Sequence, residues 1–136
     1  WYCYTATVFN FHNRGFHSYA IAKMQTTKDE WLEKYAYTAA YTWTFMEWTF
    51  DQTKDTYRVP NDWILDAVNL SVESEFQWLV TSSALDAGWT YCGKIDRDTE
   101  RYNKSVIRKQ DANGKYIDTN NSTNDFTPEA VPSMMK

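Results

Sequence analysis

Tyr41, Trp43, Phe45, Trp63 and Trp78 are the side chains of this 136-residue chain best suited to holding a ligand. Each removes ~150–250 Å² from water when enclosed and offers a flat face, which suits an elongated apolar molecule such as a pigment or lipid. Plain core packing is the competing use. Burial against another protein is a third, since Trp and Tyr anchor interfaces. Asp62 and Asp66 fall on one side of an expected strand and offer paired carboxylates for acid–base work, although loop and rim acids are the simpler reading. The two histidines, His12 and His17, are spaced for neither one helix face nor one strand face, so no metal site is expected. Asp51/Asp55 and Asp111-Ala112-Asn113-Gly114 read as turns: the second places its Gly too early for a calcium loop and lacks the closing Glu. Arg97, Arg101, Lys104 and Arg108 share a face of an expected helix, either solvated or turned to an acidic partner or anionic headgroups.

The bulk composition narrows the setting. Aromatic residues make up 18% of the chain, with seven Trp and ten Tyr among many Thr, and this mixture favours strands. A net charge of −4 and a pI near 5.1 argue against a nucleic-acid partner. Mean hydropathy is −0.68, and no apolar run approaches the ~18–20 residues of a spanning helix, so no transmembrane segment is expected. The chain opens on Trp1 rather than Met, as a processed protein or a fragment would. Four Asn-x-Ser/Thr matches, at Asn69, Asn103, Asn120 and Asn121, are expected by chance in so Asn- and Thr-rich a sequence.

The elements that must position these residues centre on Phe76 to Lys94. Two alternating runs, Phe76–Thr81 and Trp89–Cys92, flank a small polar linker closed by Gly88, the pattern of an antiparallel hairpin. Upstream, residues 1–11 and Phe16–Gln25 read as strands around a turn at Gly15. Tyr35–Thr38 and Tyr41–Phe45 alternate with period two, although Asp29–Lys34 also has the makings of a short helix. Asp51–Asp55 reads as a turn before a short strand, Thr56–Val59, and Trp63–Val68 as another strand. Helical spacing of Ile95, Tyr102 and Val106 predicts one helix at about 98–110. About eight strands on short loops escape open edges by closing on themselves, so the expected fold is mainly β. It is an eight-stranded up-and-down antiparallel barrel over 1–118, with that helix and an extended or disordered tail over 119–136. Closure would bring Cys3 beside Cys92. A disulfide there would contribute roughly 4–5 kcal/mol by restricting the unfolded chain and would imply an oxidising compartment; two free buried thiols are the alternative.

This strand order, terminal helix and set of aromatic landmarks resemble the lipocalin (calycin) family. Lipocalins begin with Gly-x-Trp, whose Trp closes the barrel floor, and Trp1-Tyr2 resembles that motif without its glycine. They place an Arg over that Trp after the last strand. Here Lys94 stands at the matching position, which keeps a cation–π contact but loses planar stacking. The resemblance thus implies barrel closure by Trp1 and Lys94. Within the family the chain is most similar to the lipocalin domain of violaxanthin de-epoxidases, through Trp1-Tyr2, Asn61-Asp62-Trp63 and Asp86-Ala87-Gly88-Trp89. Those enzymes carry a catalytic acid soon after the first strand, whereas Asn10–Tyr19 contains none, so no catalytic residue carries over. The resemblance implies a non-catalytic protein binding a carotenoid, chlorophyll or lipid, in the thylakoid lumen or secreted. A structural docking subunit of a membrane-associated, photosynthetic complex is the alternative.

Overall fold

The computed structural model describes residues 13, 15, 17–74 and 81–133. The chain divides into two compact units: one takes the chain up to Ile21 and again from Asp66, the other is Ala22–Leu65.

The second unit is built from a short helix and a long hairpin. Helix α1, Lys28–Lys34, begins where the Thr27 hydroxyl accepts the Glu30 N–H at 3.3 Å, and its acids lie in the first turn with Lys34 in the last, as the helix dipole favours. Strands β2, Ala36–Phe45, and β3, Trp48–Tyr57, pair antiparallel along their full length, from Ala36↔Tyr57 to Phe45↔Trp48. Met46, at φ 55°, supplies the left-handed residue the tight loop requires. Helix and strand, the two readings open for this region, therefore both occur in succession. The expected turn at Asp51–Asp55 does not. Asp51 and Asp55 lie opposite Thr42 and Thr38, whose hydroxyls each donate to the facing carboxylate at 2.7 Å, which gives both acids a place inside a strand. After Pro60 a 3₁₀ turn, Asn61–Trp63, buries Trp63 edge-on against Tyr35, with ring centroids 5.1 Å apart. Trp31 stacks on Tyr57 at 5.0 Å and donates its indole N–H to the Arg58 carbonyl at 3.0 Å.

In the first unit, β1 (His17–Ala22), β4 (Ile64–Ser71) and β5 (Thr90–Tyr91) form a sheet with β4 at its centre. Gly15, at φ 97°, makes the expected turn into β1, and a Cβ there would stand 2.5 Å from the Ser71 carbonyl oxygen. β5 runs parallel to β4, with Leu70↔Thr90 and Ser71↔Tyr91. Strand β6, Ser105–Arg108, pairs antiparallel with β7, Phe126–Ala130, which follows a one-turn helix α2, Ser122–Asp125.

The class is mainly β as expected, but the described strands form three separate sheets that do not close into a barrel. The helix expected at about 98–110 is a 3₁₀ turn, Thr99–Arg101, followed by β6. Val106, a member of the expected helical stripe, sits instead on a strand, next to Ile107. The stretch expected to be a loose tail holds α2 and β7, because Ser122 and Asp125 are buried in hydrogen bonds that anchor it. The expected strand at 1–11, with Trp1 and Cys3, lies outside the described residues, as do Trp78 and residues 76–80 of the supposed hairpin.

Candidate functional site

Antiparallel register sends cross-strand partners to the same face, so the pairing of β2 with β3 sorts the hairpin into two unlike surfaces. One face carries Tyr37, Tyr41, Phe45, Trp48 and Phe50, and in register Trp43 stands opposite Phe50. Gln52, Lys54 and Thr56 share this face near the hairpin root, and the Arg58 guanidinium lies 5.9 Å from the Tyr37 ring centroid. The other face carries Thr38, Thr42, Thr44, Thr49, Thr53, Asp51 and Asp55. On the first face the rings meet solvent: Phe45 is 57% exposed and Trp48 71%, and Met46 in the loop between them reaches 82%.

A second concavity belongs to the other unit. Asp66, Arg108, Asp111, Lys115, Tyr116 and Asp118 help line an open groove of about 970 Å³. Its charges are largely committed to holding the fold. Arg108 donates to Asp66 Oδ2 at 2.5 Å and to the Ile117 carbonyl at 2.7 Å, lies over the Phe126 ring at 4.5 Å, and approaches Asp125 at 4.0 Å. Burial raises the cost of the Asp125 charge, but the Thr119 N–H and hydroxyl, the Asn121 N–H and Arg108 outweigh it and hold this carboxyl below its ordinary value. Asp111 Oδ1 accepts the N–H groups of Asn113 and Lys115, so this loop is the turn the sequence predicts.

The unit that holds this groove also contains a buried polar knot. Asp86 takes four donors: the N–H groups of Asn69, Gly88 and Ser122, and the Ser122 hydroxyl. Asn69 in turn donates its side-chain amide to the Gly88 carbonyl at 3.1 Å and accepts the hydroxyls of Ser18 and Thr81. Its partners are all satisfied within the protein, and its chemistry is that of a clasp.

A family model described as Protein of unknown function (DUF4876) matches residues 1–133. The chain belongs to the DUF4876 family. No curated protein and no solved structure matches it.

In this DUF4876 chain the five aromatic candidates are only partly gathered. Tyr41 and Phe45 share the open hairpin face, Trp43 falls in the same register set, Trp63 is buried on the 3₁₀ turn, and Trp78 lies outside the described residues. Lys94 is exposed, and its N–H donates to Asp98 at 2.8 Å. Cys92 is a buried free thiol whose acidity is suppressed chiefly by burial, so the expected bridge to Cys3 is not made at Cys92. Asp66 pairs with Arg108 rather than Asp62. Arg97, Arg101, Lys104 and Arg108 share no helix: Arg101 bonds Asn13, and Lys104 pairs with Glu129 at 2.9 Å. Asn69, at 0% exposure, cannot accept a glycan. Trp48 and Phe50 were missed as members of the aromatic set. Alternation continuing through Trp48–Tyr57, past the two acids, was the signal that pointed to them.

Proposed function

We propose that this DUF4876 chain is a binding module whose working surface is the aromatic face of the β2–β3 hairpin, and that its partner is apolar, a lipid or pigment. The observation that supports this is the exposure of Tyr41, Phe45 and Trp48 on one side of a single paired register. Apolar surface left in water costs about 25 cal/mol per Å², and contiguous patches of it mark interaction sites. A carotenoid, chlorophyll or acyl chain would lie along this face rather than inside a barrel. A second reading, a docking subunit of a larger membrane-associated complex, draws on the same rings because Trp and Tyr anchor protein interfaces. A setting outside the cytoplasm, in an organelle lumen or secreted, belongs to the same proposal.

The test is titration of the folded chain with an environment-sensitive apolar dye. Binding should weaken at least about fivefold in the Tyr41→Thr, Phe45→Thr double variant, and hold in a Tyr102→Thr, Tyr116→Thr control, whose rings are also exposed. Equal affinity in both variants would remove the reading.

A further inference from the structure

From the distribution of charge on the hairpin, we infer that the aromatic face of β2–β3 docks flat on an anionic lipid surface. The inference rests on the binding reading above and names its partner. Of the charged residues in β3, Lys54 lies on the aromatic face, and Arg58 is held over Tyr37 on that side, while Asp51 and Asp55 lie on the opposite face. The hairpin is therefore aromatic and cationic on one side, hydroxylated and acidic on the other. This is the arrangement of an interfacial amphipathic element, with apolar rings at the acyl boundary, cations among phosphates and acids turned to water.

Polarity is also graded along the strands. The loop end presents Phe45, Met46, Trp48 and Phe50, the middle Tyr41 and Gln52, and the root Tyr37, Lys54 and Thr56. Phe45 and Phe50 carry no side-chain hydrogen-bonding group and Met46 only a weak acceptor, so the loop end suits an apolar phase. Trp48 and Tyr41 suit the boundary itself, where one edge of the ring is apolar and the other wet. Glu47, in the loop, is the acid that must stay at headgroup level. Acids on the far face stay solvated only in the flat orientation, which also lets Lys54 and Arg58 reach the phosphates together.

The experiment is sedimentation of the full chain with vesicles of equimolar phosphatidylcholine and phosphatidylglycerol, alongside phosphatidylcholine alone. Binding is expected to the anionic vesicles and to weaken with added salt. It should weaken about fivefold for each cation lost in Lys54→Gln and Arg58→Gln, and at least about tenfold in Phe45→Thr, Met46→Thr. Asp51→Asn, on the far face, should leave it intact. Brominated lipid should quench wild-type tryptophan fluorescence more than that of Trp48→Phe, with circular dichroism showing each variant folded. No sedimentation with either vesicle, sedimentation indifferent to the hairpin substitutions, or quenching unchanged in Trp48→Phe overturns the inference. So does binding to an acidic polysaccharide such as alginate in place of vesicles. If vesicles fail while the apolar dye still reports on Tyr41 and Phe45, the lipid surface falls and the binding face stands.

Discussion

Asp86 and Ser122, 36 positions apart in sequence, are joined twice: the Ser122 N–H donates to Asp86 Oδ1 at 2.8 Å, and the Ser122 hydroxyl donates to Oδ2. Asn69 and Gly88 add their N–H groups at 2.9 and 3.0 Å, so this buried acid has a donor on every side. A carboxylate tolerates burial only on such terms. The pairing fixes the segment before β5 to the start of α2, and with it the strand β7 that follows.

Removing that acceptor should be costly. Asp86→Ala leaves buried donors without partners and is expected to lose on the order of 3 kcal/mol. Asp86→Asn should lose less, because one oxygen remains. Urea denaturation of both variants measures this, and an Asp86→Ala loss below about 0.5 kcal/mol would show the clasp to be idle.

Close packing at Gly88 gives an independent probe of the same junction. A Cβ there would stand 2.1 Å from Asn121 Oδ1 and 2.8 Å from Thr123 Oγ1. Gly88→Ala should therefore destabilise by about 1–3 kcal/mol through overpacking. Hydrogen exchange should quicken at the amides of Ser122 and Asp125; unchanged protection there would place the fault elsewhere.

Arg108 joins β4 to the β6–β7 pair through a forked contact. Arg108→Lys keeps the charge but cannot serve Asp66 and the Ile117 carbonyl together while lying flat on Phe126. With Asp66 partly solvated, a loss of about 2 kcal/mol is expected, and slightly more for Arg108→Gln. Equal thermal midpoints for wild type and Arg108→Lys would mean that charge alone suffices.

The depressed pKa of Asp125 carries a pH dependence of definite sign. Its folded value lies below its unfolded one, so the unfolded chain takes up the proton first as pH falls. The stability it contributes is whole above the ordinary aspartate value of about 3.9 and drains away as pH drops through the lower, folded value. Asp125→Asn should be less stable at neutral pH and show a shallower decline in acid. Parallel stability–pH curves for the two proteins would contradict this account.

The thiol of Cys92 is 2% exposed and free, and burial suppresses its ionisation. Iodoacetamide should leave it unmodified in the native protein and label it fully in denaturant without reductant. A Cys92 peptide that becomes alkylated only after reduction would restore the bridge.

The sequence was most informative where structure is local. Alternation at Tyr35–Phe45 announced β2, the capping residues at Asp29–Lys34 marked the rival helix, Gly15 marked a turn, and the abundance of Thr and aromatics gave the mainly β class. It misled where a polar residue's meaning depended on a distant partner. Asp51 and Asp55 look like turn residues until Thr42 and Thr38 stand opposite them. Val106 keeps helical spacing with Tyr102 until Ala130 and Thr127 turn out to pair with its neighbours Ser105 and Ile107. Asn- and Ser-rich composition made residues 119–130 look loose, since nothing nearby reveals that Asp86 will take the Ser122 hydroxyl.

What the chain alone determined is thus the mainly β class, the strand within Tyr35–Phe45 with its two unlike faces, and the turn at Gly15. Those follow from backbone propensity and a two-residue period that any short segment contains. Tertiary structure decided that the sheets stay separate, that β5 lies parallel to β4, and which acids go inside. The reason is energetic: burying a carboxylate such as Asp86 or Asp125 is tolerable only when donors from remote parts of the chain converge on it, and that convergence exists only once the chain has folded.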